Sequence, residues 1–286
     1  MSDPQTTPAP EHAPTTDMPA FASVILAGER TQRDALRDHS GVACKALIDI
    51  GGASMIRRVI HALEGAASID SIDLSGPTEA CVKADTRLAE LVTQQRVGWA
   101  PAAGTPSTSA HHMLRRFPAR RPVLLTTADH PLLTSEIVDH FCGDSAATGC
   151  DVVIGLAPYA LVKSTYPDLK KTVLRFRDGD YCGCNLFAFM TADGRRAADF
   201  WRRVEKDRKK PLVLIRLLGL SAVIRYRMGR LTLQDALARL SRKLGLRLGV
   251  VILPYANAAV DVDSVADYQL VRQYAGSVTH GAQQKD

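Results

Sequence analysis

Short apolar runs rich in Val, Ile and Leu recur along this chain, and amphipathic stretches separate them. The runs 21–26, 69–74, 122–127, 151–157 and 248–253 have the length and composition of buried strands. Apolar residues return at three- and four-residue intervals over 54–66, 83–95, 107–117, 134–142, 191–208, 232–245 and 264–275, the period of helices with one buried face. Thr134 before Glu136 and Ile137, and Ser264 before Asp267, read as helix starts. This alternation predicts an α/β fold, a mostly parallel sheet covered by helices on both faces. Residues 172–177 and 185–189 flank Asp178-Gly179-Asp180 and read as two strands joined by a turn. No apolar stretch of about 20 residues, the length needed to span a bilayer, occurs, and no internal repeat is found.

Composition adds domain limits. With 286 residues, 46% of them hydrophobic, the chain can bury one large core. Residues 1–19 are rich in Pro, Thr and acids and read as a disordered tail without signal-peptide character. One domain is expected over 20–276, with a β/helical insertion at about 172–247 and a flexible tail over 277–286. The six cysteines show no C-x-x-C pair, and Cys182-Gly183-Cys184 lacks a histidine at zinc-finger spacing, so free thiols in a reducing cytoplasm are the expectation.

Charge is concentrated. Residues 195–230 hold twelve Lys/Arg against three acids, a local net charge of +9 in a chain of net +6. Such a field attracts anions: a phosphorylated substrate, an anionic membrane surface or nucleic acid. Nucleic acid is not expected, because Trp201 and Tyr226 are too few aromatics for a stacking platform. Leu212–Leu220, continuing to Ile224, Tyr226 and Met228, reads as a packed helix, with a membrane-surface helix as the alternative. Peripheral contact with the inner face of a membrane goes with that second reading.

Three segments carry candidate chemistry, each an apolar run ending in a small or charged residue. In an open α/β sheet such strand ends converge on one crevice, where ligands bind. Leu26-Ala27-Gly28 lets backbone approach a phosphate or base, and Arg30, Arg33 and Lys45 follow it. Val123–Thr127 leads through Ala128 to Asp129, a carboxylate suited to a divalent cation that also takes phosphate oxygens. His130, held before Pro131, reads as a packing or capping residue. Asp261 and Asp263, two apart in an extended segment, would point to one face.

Leu26-Ala27-Gly28, Lys45-Ala46-Leu47 with Gly51-Gly52, Thr127–Leu132, and Asp261-Val262-Asp263 with Asp267 together resemble the MobA-like nucleotidyltransferases over roughly 21–275. The resemblance implies a Rossmann-like GT-A-type fold. It also implies Mg2+-dependent transfer of a nucleotidyl group from a nucleoside triphosphate to a small phosphorylated acceptor, with release of pyrophosphate. Carried over by position, Ala27 and Gly28 begin the nucleotide loop, and Lys45 contacts phosphate. Asp129 binds Mg2+, and Asp261 or Asp263 completes the metal site. Gly104, Ser107 and Ser109 meet the base. Asn185 lies on the acceptor side, where Arg175, Arg177, Arg202, Arg203 and Lys206 are the expected phosphate contacts. One departure is plain: Gly28 is followed by Glu29-Arg30-Thr31-Gln32-Arg33, where the family has further glycines. Arginines would then replace backbone donors. The alternative is a catalytically inactive relative that binds a nucleotide or an anionic surface.

Overall fold

The computed structural model describes residues 19–29, 35–205 and 219–281. Eight strands form one sheet: β1 Phe21–Leu26, β2 Ile69–Ser75, β3 Gly98–Ala100, β4 Val123–Thr127, β5 Val152–Pro158, β6 Leu174–Phe176, β7 Gly179–Phe189 and β8 Leu248–Ile252. Their order is β3-β2-β1-β4-β7-β5-β8, and β6 pairs with β7. The pairs β1–β2, β1–β4, β2–β3 and β5–β8 are parallel, whereas β7 runs antiparallel to β4 and β5. The expected mostly parallel α/β sheet is therefore the fold.

The central strand β1 is buried along its whole length because helices cover both faces. Phe21 and Ile25 join Ile56, Val59, Ile60, Ile137 and Phe141 in the larger core. Ala22, Val24 and Leu26 face the other way, toward Ala110, Met113, Leu114 and Ala198. This period-two division explains why the run reads as continuously apolar. Helix Pro106–Leu114 starts with Thr105, whose hydroxyl accepts the Thr108 N–H, and proline occupies its first turn. Helix Ser135–Ala147 is capped in the same way by Thr134, as its sequence predicts.

Four differences from the sequence reading have physical causes. First, β7 is one strand of 11 residues that begins at Gly179, not at 185. It contains an irregularity: Ile154 pairs with Phe187 but Leu156 with Gly183, so β7 spends more residues than β5 over the same span. Asn185 sits at that point in the left-handed region, φ 52°. Such a bulge re-aims a side chain that strict alternation would place elsewhere.

Second, Val260–Asp263 is not a strand. It follows the short turn Ala256–Ala259, and its Val262 N–H donates to the Asp129 carbonyl (2.9 Å). Third, Cys44 and Cys81 form a disulfide, against the expectation of free thiols, which holds for Cys142, Cys150, Cys182 and Cys184. The pairing is invisible in the sequence because 37 residues separate the two cysteines. Fourth, the described parts of the basic window lie in two places. Helix Arg196–Glu205 lies against helix Pro106–Leu114, whereas helices Leu220–Arg227 and Leu233–Leu244 build a small separate core with Phe176 around Ala222, Leu231 and Ala236. Residues 206–218, with Lys206 and the run 212–218, lie outside the described residues, as do 1–18 and 282–286 of the expected tails.

Candidate active site

The C-terminal ends of β1 and β4 lie side by side, with Leu26 paired to Thr127. The chain beyond each strand therefore enters one crevice. On the β4 side Asp129 follows buried Ala128, which hydrogen-bonds to the Leu26 carbonyl (3.0 Å). Lys45 arrives from a short helical turn, Lys45–Leu47. Its ammonium Nζ lies 3.3 Å from Asp129 Oδ2 and 2.7 Å from Asp263 Oδ1. One cation thus bridges two carboxylates that are far apart in sequence. Burial pulls the Lys45 pKa down, but the Asp129 charge and the hydrogen bond to Asp263 outweigh it, and the pKa stands above the ordinary lysine value. Lys45 is charged at neutral pH.

Asp129 Oδ1 is buried without a hydrogen-bond donor among the described residues. A buried carboxylate oxygen in that state has room for a water, an ion or another donor. With Asp263 beside it and a lysine already bridging the pair, the donor set is hard, anionic and oxygen-only, which fits Mg2+. No group of three or more His, Cys, Asp or Glu side chains with metal-binding geometry occurs among the described residues, so such an ion would need phosphate oxygens or water as further ligands.

Asp261 takes a different part. Its Oδ1 accepts from Lys171 Nζ (2.6 Å) and its Oδ2 from Asn185 Nδ2 (3.1 Å). The two aspartates thus serve two adjoining clusters: Asp263 with Lys45 and Asp129, Asp261 with Lys171 and Asn185. Lys171 was not singled out in the sequence. Its only signal was a charged pair, Lys170-Lys171, ahead of the β6 run. His130 lies between the clusters, almost wholly buried, with Nε2 3.2 Å from the Asn257 carbonyl. Burial lowers its pKa, so it is a neutral packing residue, as read.

On the β1 side Ala27 and Gly28 are hemmed in. A Cβ on Gly28 would lie 2.9 Å from Ala102 Cβ, and one on Gly76 would lie 2.9 Å from the Ala27 carbonyl oxygen. The segment after β1 therefore packs directly on the segments after β2 and β3. Gly104 adopts a left-handed conformation, φ 42°. Ser109 is buried, and its Oγ accepts from Ala103 N–H (2.8 Å). Ser107 is buried and donates to Glu205. The two serines brace this loop from within rather than presenting their hydroxyls to a ligand.

Glu29 has partners of its own: Oε1 accepts the Lys45 backbone N–H (2.6 Å), and Oε2 lies 3.5 Å from Arg37. The acid following Gly28 is thereby neutralised and holds Lys45 in place. Arg30 and Arg33 fall outside the described residues, and nothing is described of the Arg203 side chain. Arg202 pairs with Asp199 on its own helix (3.3 Å), and Arg175 with Asp180 (3.1 Å). Arg177 is fixed through its backbone N–H to the Leu231 carbonyl (2.9 Å). The structure brings Lys45, Asp129, Asp261, Asp263 and Asn185 together. Of the arginines expected on the acceptor side, Arg175 and Arg202 have carboxylate partners elsewhere.

A strand-end crevice with a glycine loop on one side, and lysine and aspartates on the other, defines a Rossmann-like nucleotidyltransferase. The model of the MobA-like NTP transferase domain matches residues 23–173, and the chain belongs to that family. A solved structure described as a hypothetical transferase from Thermus thermophilus is 30% identical, covers 87% of this chain and 99% of its own, and superposes with a TM-score of 0.72. The fold is shared more distantly with CMP:2-keto-3-deoxy-manno-octonic acid synthetase complexed with CTP (12% identity, 92% of this chain and 100% of that one, TM-score 0.54). It is also shared with 2-C-methyl-D-erythritol 4-phosphate cytidylyltransferase, again from Thermus thermophilus (14% identity, 91% and 100%, TM-score 0.52). No curated protein sequence matches the chain.

Proposed function

We propose that this enzyme transfers a nucleotidyl group from a nucleoside triphosphate to a small phosphorylated acceptor. The observation that carries the reading is Lys45 bridging Asp129 and Asp263 beside an unsatisfied buried carboxylate oxygen. Ala27 and Gly28 receive the nucleotide, and Lys45 moves from the carboxylates onto phosphate. An acceptor phosphate oxygen attacks the α-phosphorus in line. The new O–P bond forms as the bond from the α-phosphorus to the bridging oxygen breaks, and pyrophosphate leaves with that electron pair. Asp129 and Asp263 would hold Mg2+, which supplies charge neutralisation across the triphosphate. Lys171, oriented by Asp261, offers its ammonium to the acceptor phosphate, and Asn185 donates from the same side. No side chain acts as a nucleophile; positioning and fixed charge provide the catalysis.

The paired state of Glu29 is compatible with triphosphate binding at Gly28, in the active and the binding-only reading alike, and turnover separates the two. The test is pyrophosphate release with each of the four common triphosphates, Mg2+ and a panel of phosphomonoesters, comparing the wild type with Asp129→Asn. Turnover with one triphosphate, lost in the variant, is expected. Triphosphate binding without turnover in any combination would favour the inactive relative, and activity unchanged in Asp129→Asn would remove the proposed site.

A further inference from the structure

Helix Leu220–Arg227 packs inward through Ala222 and Tyr226, against Phe176 and Leu231. Its opposite side is unusual. Leu220 is 58% exposed, Ile224 50% and Met228, just past the helix, 56%. Four-residue spacing stacks the three side chains in one stripe. Arg227 lies less than a quarter-turn from Leu220 in helical projection, so it flanks that stripe. Arg227 and Arg230 are both exposed, and no ion pair engages either among the described residues. The surrounding segment 219–247 has seven Lys/Arg against one acid, Asp235, whose charge is already taken by Arg225 (2.8 Å).

We propose that Leu220, Ile224 and Met228, together with Arg227 and Arg230, dock the enzyme on an anionic membrane surface. Apolar side chains that leave water at the interface and arginines that meet anionic headgroups are the two components of interfacial binding. Charge decides the occupant: a second copy of this face would bring like arginines together, whereas an anionic lipid surface meets both components at once. The docking helix is joined to the crevice through the sheet. The Arg175 N–H donates to Tyr226 Oη, and the Asp178 carboxylate accepts from Leu233 N–H (2.9 Å). From that hairpin β7 runs directly to Asn185. Docking would therefore hold the acceptor side of the crevice near the lipid headgroups. The membrane contact does not depend on the proposed chemistry.

The experiment is flotation of the full chain, free of nucleotide and metal, with phosphatidylcholine vesicles and with vesicles that also contain phosphatidylglycerol. Partition onto the anionic vesicles is expected to exceed that onto the neutral ones by roughly tenfold or more and to fall as salt is raised. Leu220→Ser/Ile224→Ser/Met228→Ser should abolish it, and Arg227→Gln/Arg230→Gln should lower it by roughly tenfold or more. All five side chains are on the surface, so both variants should melt as the wild type does and keep its response to triphosphates. Equal binding to both vesicle types, or anionic binding that survives loss of the apolar stripe, would overturn the proposal. So would a wild-type dimer in solution that the triple variant abolishes, since the stripe would then be a contact between copies. Binding to RNA that depends on the arginines but not on the stripe would reassign the surface to nucleic acid.

Discussion

Lys45 shows how a single residue can be held in two roles. In the free protein its ammonium neutralises Asp129 and Asp263; a triphosphate would draw the same charge onto phosphate. Lys45→Met keeps most of the length of the side chain and removes the charge. Affinity for Mn2+ in the absence of nucleotide should then rise by about tenfold, because two carboxylates lose a competing cation. Affinity for triphosphate should fall by at least that factor, while affinity for the nucleoside is kept. Titration of Mn2+ by electron paramagnetic resonance, alongside calorimetry with nucleotide and nucleoside, checks both halves. Lower Mn2+ affinity in the variant would refute the competition. Lys45, Asp129 and Asp263 were legible in the sequence because each ends an apolar run or follows a loop. Lys171 was not, since no strand end or glycine marks it, and its importance comes from Asp261 alone.

At the scale of elements, the strands and long helices were readable because burial imposes a period on them. The missed pieces are short: β3, and helices Ala35–Ser40, Glu79–Ala84 and Tyr159–Thr165, are too brief for a period to show. The bulge at Asn185 breaks alternation and so could not be inferred from it. The antiparallel course of β7 was equally hidden, as a sequence of alternating elements carries no sign of strand direction. Two elements allow sharp tests. Gly76 has φ 76°, and a Cβ there would meet the Ala27–Gly28 backbone, so Gly76→Ala should cost about 1–3 kcal/mol and displace Ala27 and Gly28. Urea denaturation and triphosphate affinity should both register it.

Asp151 ties three elements together. It accepts from Arg247 N–H (2.8 Å), Arg247 Nη2 (3.0 Å) and Thr191 Oγ1 (3.0 Å), joining the entries to β5 and β8 to the turn after β7. The Arg247 hydrogen bond is the main reason that its pKa falls from 3.8 to about 2. A depressed carboxylate stabilises the fold above its ordinary pKa, and that contribution disappears as pH falls from about 4 toward about 2. Asp151→Asn should therefore cost about 2 kcal/mol at neutral pH and flatten the loss of stability between pH 5 and pH 2. Melting curves across that range decide it; parallel losses in the two proteins would count against the linkage.

For the whole molecule, ligand binding and stability should move together, because the site joins the two halves of the sheet. A triphosphate with Mg2+ at about one hundred times its dissociation constant should add about 2.7 kcal/mol. For a domain of this size that raises the melting temperature by roughly 5–10 °C. Nucleoside monophosphate at the same concentration should do much less. No described helix is long and apolar enough to cross a membrane.

The hydrogen bond from Val262 to the Asp129 carbonyl has a consequence for the order of events during synthesis. Lys45 and Asp263 are 218 positions apart, and the segment around Val262 is among the last described portions of the chain to be made. All eight strands precede that segment in the chain, so they leave the ribosome before it. A nascent chain at that stage would hold Asp129 and lack both Asp261 and Asp263. It would remain silent toward triphosphate until the Val262 segment docks on Asp129, so nucleotide binding would report that docking rather than the paired sheet alone.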